Sequence, residues 1–220
     1  MSSERPKQRI LAHLAAIAAA LGHAHRLEIL ELIAQGERSV EDLAGRTGLS
    51  VANTSRHLQI LRRARLAEPR QVGKRRLYSL LAETDVIALL SALGRVGERS
   101  VAEIERILSS YFRTRDALEP VSREALLERL RAGTVTLLDV RPADEFALGH
   151  LPGAINLPLD RLAAELADLR LGQAVVAYCR GPYCILSFEA VALLRSRDIE
   201  ARRLEDGFPE WKAAGLPVEG

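Results

Sequence analysis

Apolar residues recur at helical spacing through the first half of the chain. The runs are Ile10, Leu11, Leu14 and Ile17; Leu27, Leu30 and Ile33, flanked by Ile29 and Leu32; Val40, Leu43 and Ala44; and Leu58 with Leu61. Gly22, Gly36, Gly48 and Gly73 punctuate them, so the pattern predicts several short helices rather than one long one. A further amphipathic stretch through Val101, Ile104, Ile107, Leu108, Tyr111 and Phe112 keeps the helical period until Pro120 ends it. Beyond Pro120 the pattern changes. Thr134 to Val140 and Gln173 to Tyr178 are short apolar runs with strand character, whereas Ser122 to Arg131, Leu159 to Leu169 and Leu186 to Arg197 keep helical spacing. That alternation predicts an α/β sheet. The chain is therefore expected to hold two domains: a mostly α domain over residues 1–95, a helical linker over 96–120, and an α/β domain with a parallel sheet over 121–220.

Composition fits this division. A chain of 220 residues with 48% apolar content can build two cores of about 100 residues each. No apolar run reaches the roughly 18 residues that a membrane span needs, and the segment from Met1 to Lys7 leads into an amphipathic stretch rather than a signal sequence. The expectation is a cytoplasmic protein with no membrane partner. The net charge of +2 hides an asymmetry: residues 1–95 carry +6 and residues 96–220 carry −4. The basic half is the candidate for a polyanionic partner.

Within that half, Ser39 and Ser50 stand where helix N-caps belong, each before a helical run, and Thr47-Gly48-Leu49 supplies the turn between them. The second helix, Ser50 to Leu61, is expected to direct Val51, Asn53, Thr54, Arg56, His57 and Gln59 outward or partly outward, with Ser50 at its start. These are mostly groups able to meet base edges and phosphates in a major groove. Two short strands then flank Gly73, and Lys74, Arg75 and Arg76 between them form a basic wing suited to phosphate. Leu27-Glu28-Ile29-Leu30, Leu43-Ala44, Gly48-Leu49-Ser50, Ser55-Arg56-His57-Leu58 and the Gly73 to Tyr78 wing closely resemble the ArsR/SmtB repressors over roughly residues 10–93. The resemblance implies a winged helix-turn-helix homodimer that places two recognition helices on double-stranded operator DNA.

The metal ligands of that family are not matched. Val40 to Arg46 lacks the Cys-x-Cys pair, and Asp85 to Leu93 contains no His. His23 and His25, at i, i+2 spacing, do not share a helical face and read as surface or dimer-contact residues. No metal and no cofactor is expected, so a signal must enter elsewhere.

The second half offers an entry point. Only two cysteines occur, Cys179 and Cys184. Close thiols in a cytosolic protein point to chemistry more than to a scaffold bridge. Cys179 ends a buried strand, and a tight loop leads to a helix from about Leu186, so backbone amides and the positive helix end favour a thiolate or persulfide there. Arg180 is expected to add a guanidinium next to the thiol, and Gly181 to let the loop curl its amides inward. Asp139 and Arg141, at the end of the preceding strand, read as braces for this loop, and His150 as structural. Cys184 either closes onto Cys179, directly or through extra sulfur, or packs beneath the helix.

Val135 to Arg141, Glu145-Phe146, Gly149 to Asn156, Val175 to Cys184 and Asp206 to Trp211 together closely resemble the rhodanese superfamily over roughly residues 121–219. The resemblance implies that Cys179 accepts sulfane sulfur as a persulfide and yields it to an acceptor. The sixth loop position is Cys184, with glycine third and Pro182 after it, a departure from the thiosulfate-transferring members. The absence of a closing Arg counts against phosphatase or arsenate reductase chemistry. The preferred reading is a repressor whose appended domain senses reactive sulfur or thiol-modifying species through Cys179. The alternative is a sulfurtransferase enzyme carrying its own DNA-binding domain. Chelation of a thiophilic ion such as arsenite by the two thiols ranks last.

Overall fold

The computed structural model describes residues 5–113, 120–166 and 174–220. Residues 114–119 of the expected linker, 167–169 of the expected helix and Gln173 of the expected strand lie outside the described residues. Two compact units result, Met1–Val86 and Ile87–Gly220.

In the first unit α1 (Pro6–Leu21) and α2 (Ala24–Ala34) lead through the short strand β1 (Arg38–Ser39) to α3 (Val40–Thr47) and α4 (Val51–Arg63). The strands β2 (Ala67–Val72) and β3 (Arg75–Leu80) form the wing, and β1 completes an antiparallel sheet in the order β1-β3-β2. That third strand was not expected from the pattern, because two residues are too few to show an alternation. Ser39 and Ser50 are the N-caps of α3 and α4, accepting from the amides of Asp42 (3.2 Å) and Asn53 (3.3 Å). Gly48 ends α3 in the left-handed region at φ 69°, where a side chain is strained, and so turns the chain into α4. Ile29, Leu30, Leu43, Leu58, Leu61 and Tyr78 are buried in the core of this unit. Arg26 is buried too: its guanidinium donates to the carbonyls of Ala20 (2.5 Å) and Ala19 (3.0 Å), satisfying the open end of α1.

Helix α5 (Glu83–Ser100) begins in the first unit and continues into the second. The expected boundary at residue 95 therefore falls inside one helix. After it come α6 (Ala102–Ile107) and a π-helical turn, Leu108–Arg113.

The remainder of the second unit alternates strands and helices. Its order is α7 (Arg123–Arg131), β4 (Val135–Asp139), α8 (Ala143–Phe146), β5 (Ile155–Asn156), α9 (Leu159–Glu165), β6 (Ala174–Tyr178), α10 (Ile185–Arg195), β7 (Ala201–Arg203) and α11 (Phe208–Ala213). The strands form one parallel sheet in the order β5-β4-β6-β7. Alternate residues of β6 serve opposite faces: Val175 and Ala177 pack with Leu138, Leu162, Val191 and Leu194, and Val176 and Tyr178 pack with Leu126, Leu137, Leu151 and Trp211. Because the strands are parallel, Asp139 pairs with Tyr178 and the carboxyl ends of β4 and β6 lie side by side. In open α/β sheets that edge is where ligands are bound.

Candidate functional site

Cys179 follows the last residue of β6, and Cys184 is the N-cap of α10. The two are joined as a disulfide with their Cα atoms 6.2 Å apart, so the bridged alternative is the one the structure contains. Both sulfur-bearing residues are buried, at 2% and 7% exposure. The Cys184 amide donates to the Gly181 carbonyl (3.1 Å), folding the intervening loop into a turn, and the Phe208 amide donates to the Cys179 carbonyl (3.0 Å). The positive end of α10 thus meets the sulfur pair, an arrangement that favours a sulfur anion when the bridge is open.

Arg180 departs from the expectation. Its guanidinium does not serve as a free cation beside the thiol, since Nε and Nη2 donate to the carboxylate of Glu145 at 2.7–3.1 Å. Glu145 is fully buried; the sequence shows it as part of the Glu145-Phe146 motif but gives no sign of this pairing. Asp139 and Arg141 pair with each other at the end of β4. Both are fully buried, the Arg141 amide, Nε and Nη2 donate to the Asp139 carboxylate at 2.6–3.1 Å, and Nη2 also reaches the Gly149 carbonyl (2.8 Å). The guanidinium carbon lies 4.3 Å from the Phe208 ring centroid, so the pair is roofed by the segment that also holds Cys179. Asn156 ties the same strand ends together by donating to the Asp139 and Arg141 carbonyls at 3.1 and 3.0 Å. His150 stacks on Phe146 with ring centroids 3.7 Å apart and serves packing, as expected.

Gly207 lies against the cysteine loop. Its φ of −104° suits any amino acid, so conformation does not require glycine there. Space does. A Cβ at this position would lie 2.3 Å from the Gly181 nitrogen and 2.4 Å from the Arg180 carbonyl carbon, both backbone atoms of the cysteine loop. Gly207→Ala is therefore expected to push the loop outward and to lower the stability of the second unit by about 1–3 kcal/mol. Urea unfolding followed by the emission of Trp211, the only tryptophan, measures it; an unchanged midpoint would show that the loop yields without cost.

The DNA-facing candidates separate into two groups. Ser50, Asn53, Arg56 and Gln59 are exposed on or at the start of α4, and Lys74, Arg75 and Arg76 are exposed on the wing. With Ser39, Val40 and Glu41 these three wing residues line a pocket of about 440 Å³. Thr54 does not point outward, and His57 does so only in part. Thr54 is fully buried and its hydroxyl donates to the Ser50 carbonyl (3.1 Å). His57 is half-buried against His23, with ring centroids 4.6 Å apart, and its Nδ1 lacks a hydrogen-bond partner among the described residues. Burial, then the nearby His23, Arg26 and His25, lowers the His57 pKa below its ordinary value. Among the described residues no single helix is long and apolar enough to cross a membrane.

Comparison with known proteins agrees with both halves. Residues 122–214 match the rhodanese-like domain family, and residues 24–68 match the bacterial regulatory proteins of the arsR family. Over 213 residues the chain is 40% identical to the HTH-type transcriptional regulator Rv0324 of Mycobacterium tuberculosis, covering 97% of this chain and 93% of that one. A sulfurtransferase of Allochromatium vinosum is 30% identical over 100 residues, 44% of this chain and 92% of its own. Among solved structures, a homodimeric winged helix-turn-helix DNA-binding domain from Mycobacterium bovis shares 35% identity over 46% of this chain and 94% of its own, at a TM-score of 0.41.

Proposed function

Because the chain belongs to the ArsR-type winged helix-turn-helix transcriptional regulators that carry a C-terminal rhodanese-like domain, we propose that it represses transcription and senses reactive sulfur through Cys179. The observation that carries this reading is the Cys179–Cys184 bridge at the carboxyl edge of the parallel sheet, in the loop that leads into α10. When the bridge is open, the Cys179 thiolate attacks the outer sulfur of a persulfide donor. The donor's S–S bond breaks and its thiolate leaves with the electron pair. The Cys184 thiolate then attacks the Cys179 sulfur and expels hydrosulfide, leaving the disulfide. Two thiols are oxidised, and one sulfane sulfur is reduced.

Operator DNA is the proposed partner of the first unit, bound as a homodimer. Ile10, Leu11 and Leu14 on α1, and Leu89, Leu93 and Val96 on α5, are apolar and 40–60% exposed. A second copy covering these faces would remove them from water. On the DNA side, Arg56→Ala is expected to weaken binding by about 1–3 kcal/mol and relax sequence preference, since this exposed residue of α4 is a candidate base reader. Arg75→Ala should weaken all DNA alike and flatten the salt dependence. Fluorescence anisotropy at several salt concentrations separates the two, and unchanged affinity in both variants would overturn the interface.

The reading as a whole is tested by titrating a fragment from upstream of the chain's own coding sequence with reduced protein, persulfide-treated protein and Cys179→Ser. An affinity that changes with sulfur addition in the first pair and stays fixed in the variant supports sensing. Persulfide formation with unchanged affinity overturns it in favour of the sulfurtransferase alternative, for which the likeness to the Allochromatium vinosum enzyme is the supporting observation.

A further inference from the structure

The residue immediately before Cys184 reaches away from the sulfur chemistry. The Tyr183 hydroxyl donates to Glu98 Oε1 at 2.5 Å. Glu98 lies on α5, and the same tyrosine ring rests against Gly94, one turn earlier. A Cβ built on Gly94 would lie 2.5 Å from the phenol oxygen and 3.2 Å from a ring carbon. Glycine in the middle of a helix costs about 1 kcal/mol relative to alanine, and here it makes the room in which the tyrosine sits. Burial, then the Glu98 carboxylate, raises the pKa of the phenol. The hydroxyl therefore remains a donor at any physiological pH.

We propose that Tyr183 is the positioning residue that reports the state of the cysteine pair to α5. The geometry supplies the reason. In the bridged loop the sulfurs stand at bonding distance, about 2 Å; once the bond is broken they must separate to non-bonded contact, on the order of 3.5 Å or more. Cys184 is held to the short loop by the hydrogen bond its amide donates to the Gly181 carbonyl, so a displacement of that size falls on the residues next to it. The hydrogen bond from Tyr183 to Glu98 does not survive a displacement of that size, because such contacts fail beyond about 3.2 Å. Helix α5 runs unbroken from Glu83 to Ser100. A change in how its last turns are held therefore bears on a helix rooted in the first unit. The inference rests on the sensing reading only in taking the open and bridged loops as working states.

The test is amide hydrogen exchange, by mass spectrometry, of the full chain with the loop reduced by a phosphine or closed by diamide, which takes up the two electrons and two protons of the dithiol. In the unaltered protein, closure should slow exchange in the peptide over residues 92–100 on the order of three- to tenfold, the effect of one hydrogen bond with the ring packing beside it. Tyr183→Phe should lose that dependence. Gly94→Ala should lose it too, since its methyl displaces the phenol while favouring the helix, and it leaves the rate of bridge formation unchanged. Exchange that is the same in both states of the unaltered protein, or a dependence that survives in both variants, overturns the assignment. If the exchange behaves as expected while DNA affinity ignores the state of the loop, the relay stands and the sensing reading falls.

Discussion

Asp139→Ala should be among the most damaging single substitutions in this chain, lowering the stability of the second unit by about 3–5 kcal/mol. The reason is what remains. Arg141 is fully buried, and without Asp139 its guanidinium loses the carboxylate that accepts from Nε and Nη2, while the Gly149 carbonyl and the faces of Phe208 and Tyr178 stay beside it. Removing the carboxylate of a buried ion pair is costly, far more so than the loss of a surface ion pair. Trp211, itself buried in this unit, gives a selective readout: its emission should lose its midpoint in urea, while far-ultraviolet dichroism retains a second transition from the first unit. Asp139→Asn, which keeps acceptor geometry on one oxygen, should fall between. A midpoint for the alanine variant within about 1 kcal/mol of the original would mean that Arg141 finds water or another partner, and that the pair is less decisive than its burial implies.

The second large effect is chemical. Cys179→Ser is expected to abolish sulfur uptake, since serine is a poor nucleophile toward sulfane sulfur and the remaining thiol, Cys184, serves as the resolving rather than the loading sulfur. Cys184→Ser should have a different outcome: sulfur still loads on Cys179, but the persulfide accumulates because nothing displaces hydrosulfide from it. Intact mass after treatment with a sulfane donor distinguishes the two, through a gain of one sulfur in the Cys184 variant and none in the Cys179 variant. Loading of the Cys179 variant would show that Cys184 is the primary nucleophile.

What was legible in the sequence was what neighbouring residues decide among themselves. The N-caps Ser39 and Ser50, the turn at Gly48 and the alternation of apolar strands with helices are local, and each is in place. Asp139 and Arg141 are two positions apart, and their pairing follows from the chain itself. What failed was set by distance. Arg180 was read as a cation for the thiol because its partner, Glu145, sits 35 residues away, and nothing near position 180 announces a buried carboxylate. Thr54 reads as an outward group because its side chain is polar. The direction of a helix face, however, depends on what packs there, and α4 turns Thr54 into the core and His57 partly toward His23. Gly207 was visible as a motif letter, but its purpose is a close approach to Gly181, which only three-dimensional proximity discloses.

The burial of the sulfur pair also sets a clock. A reductant must approach a disulfide along the line of its two sulfurs, and at 2% and 7% exposure that line is closed in the resting fold. Reduction therefore waits on a local opening of the loop, and its rate is the intrinsic exchange rate multiplied by the small fraction of time the loop spends open. Each 1.4 kcal/mol needed for that opening lengthens the bridged lifetime about tenfold. A brief pulse of oxidant would then be remembered after it has passed, for a time that the packing of Gly207 and Phe208 over the loop lengthens beyond what the surrounding thiol pool alone would set.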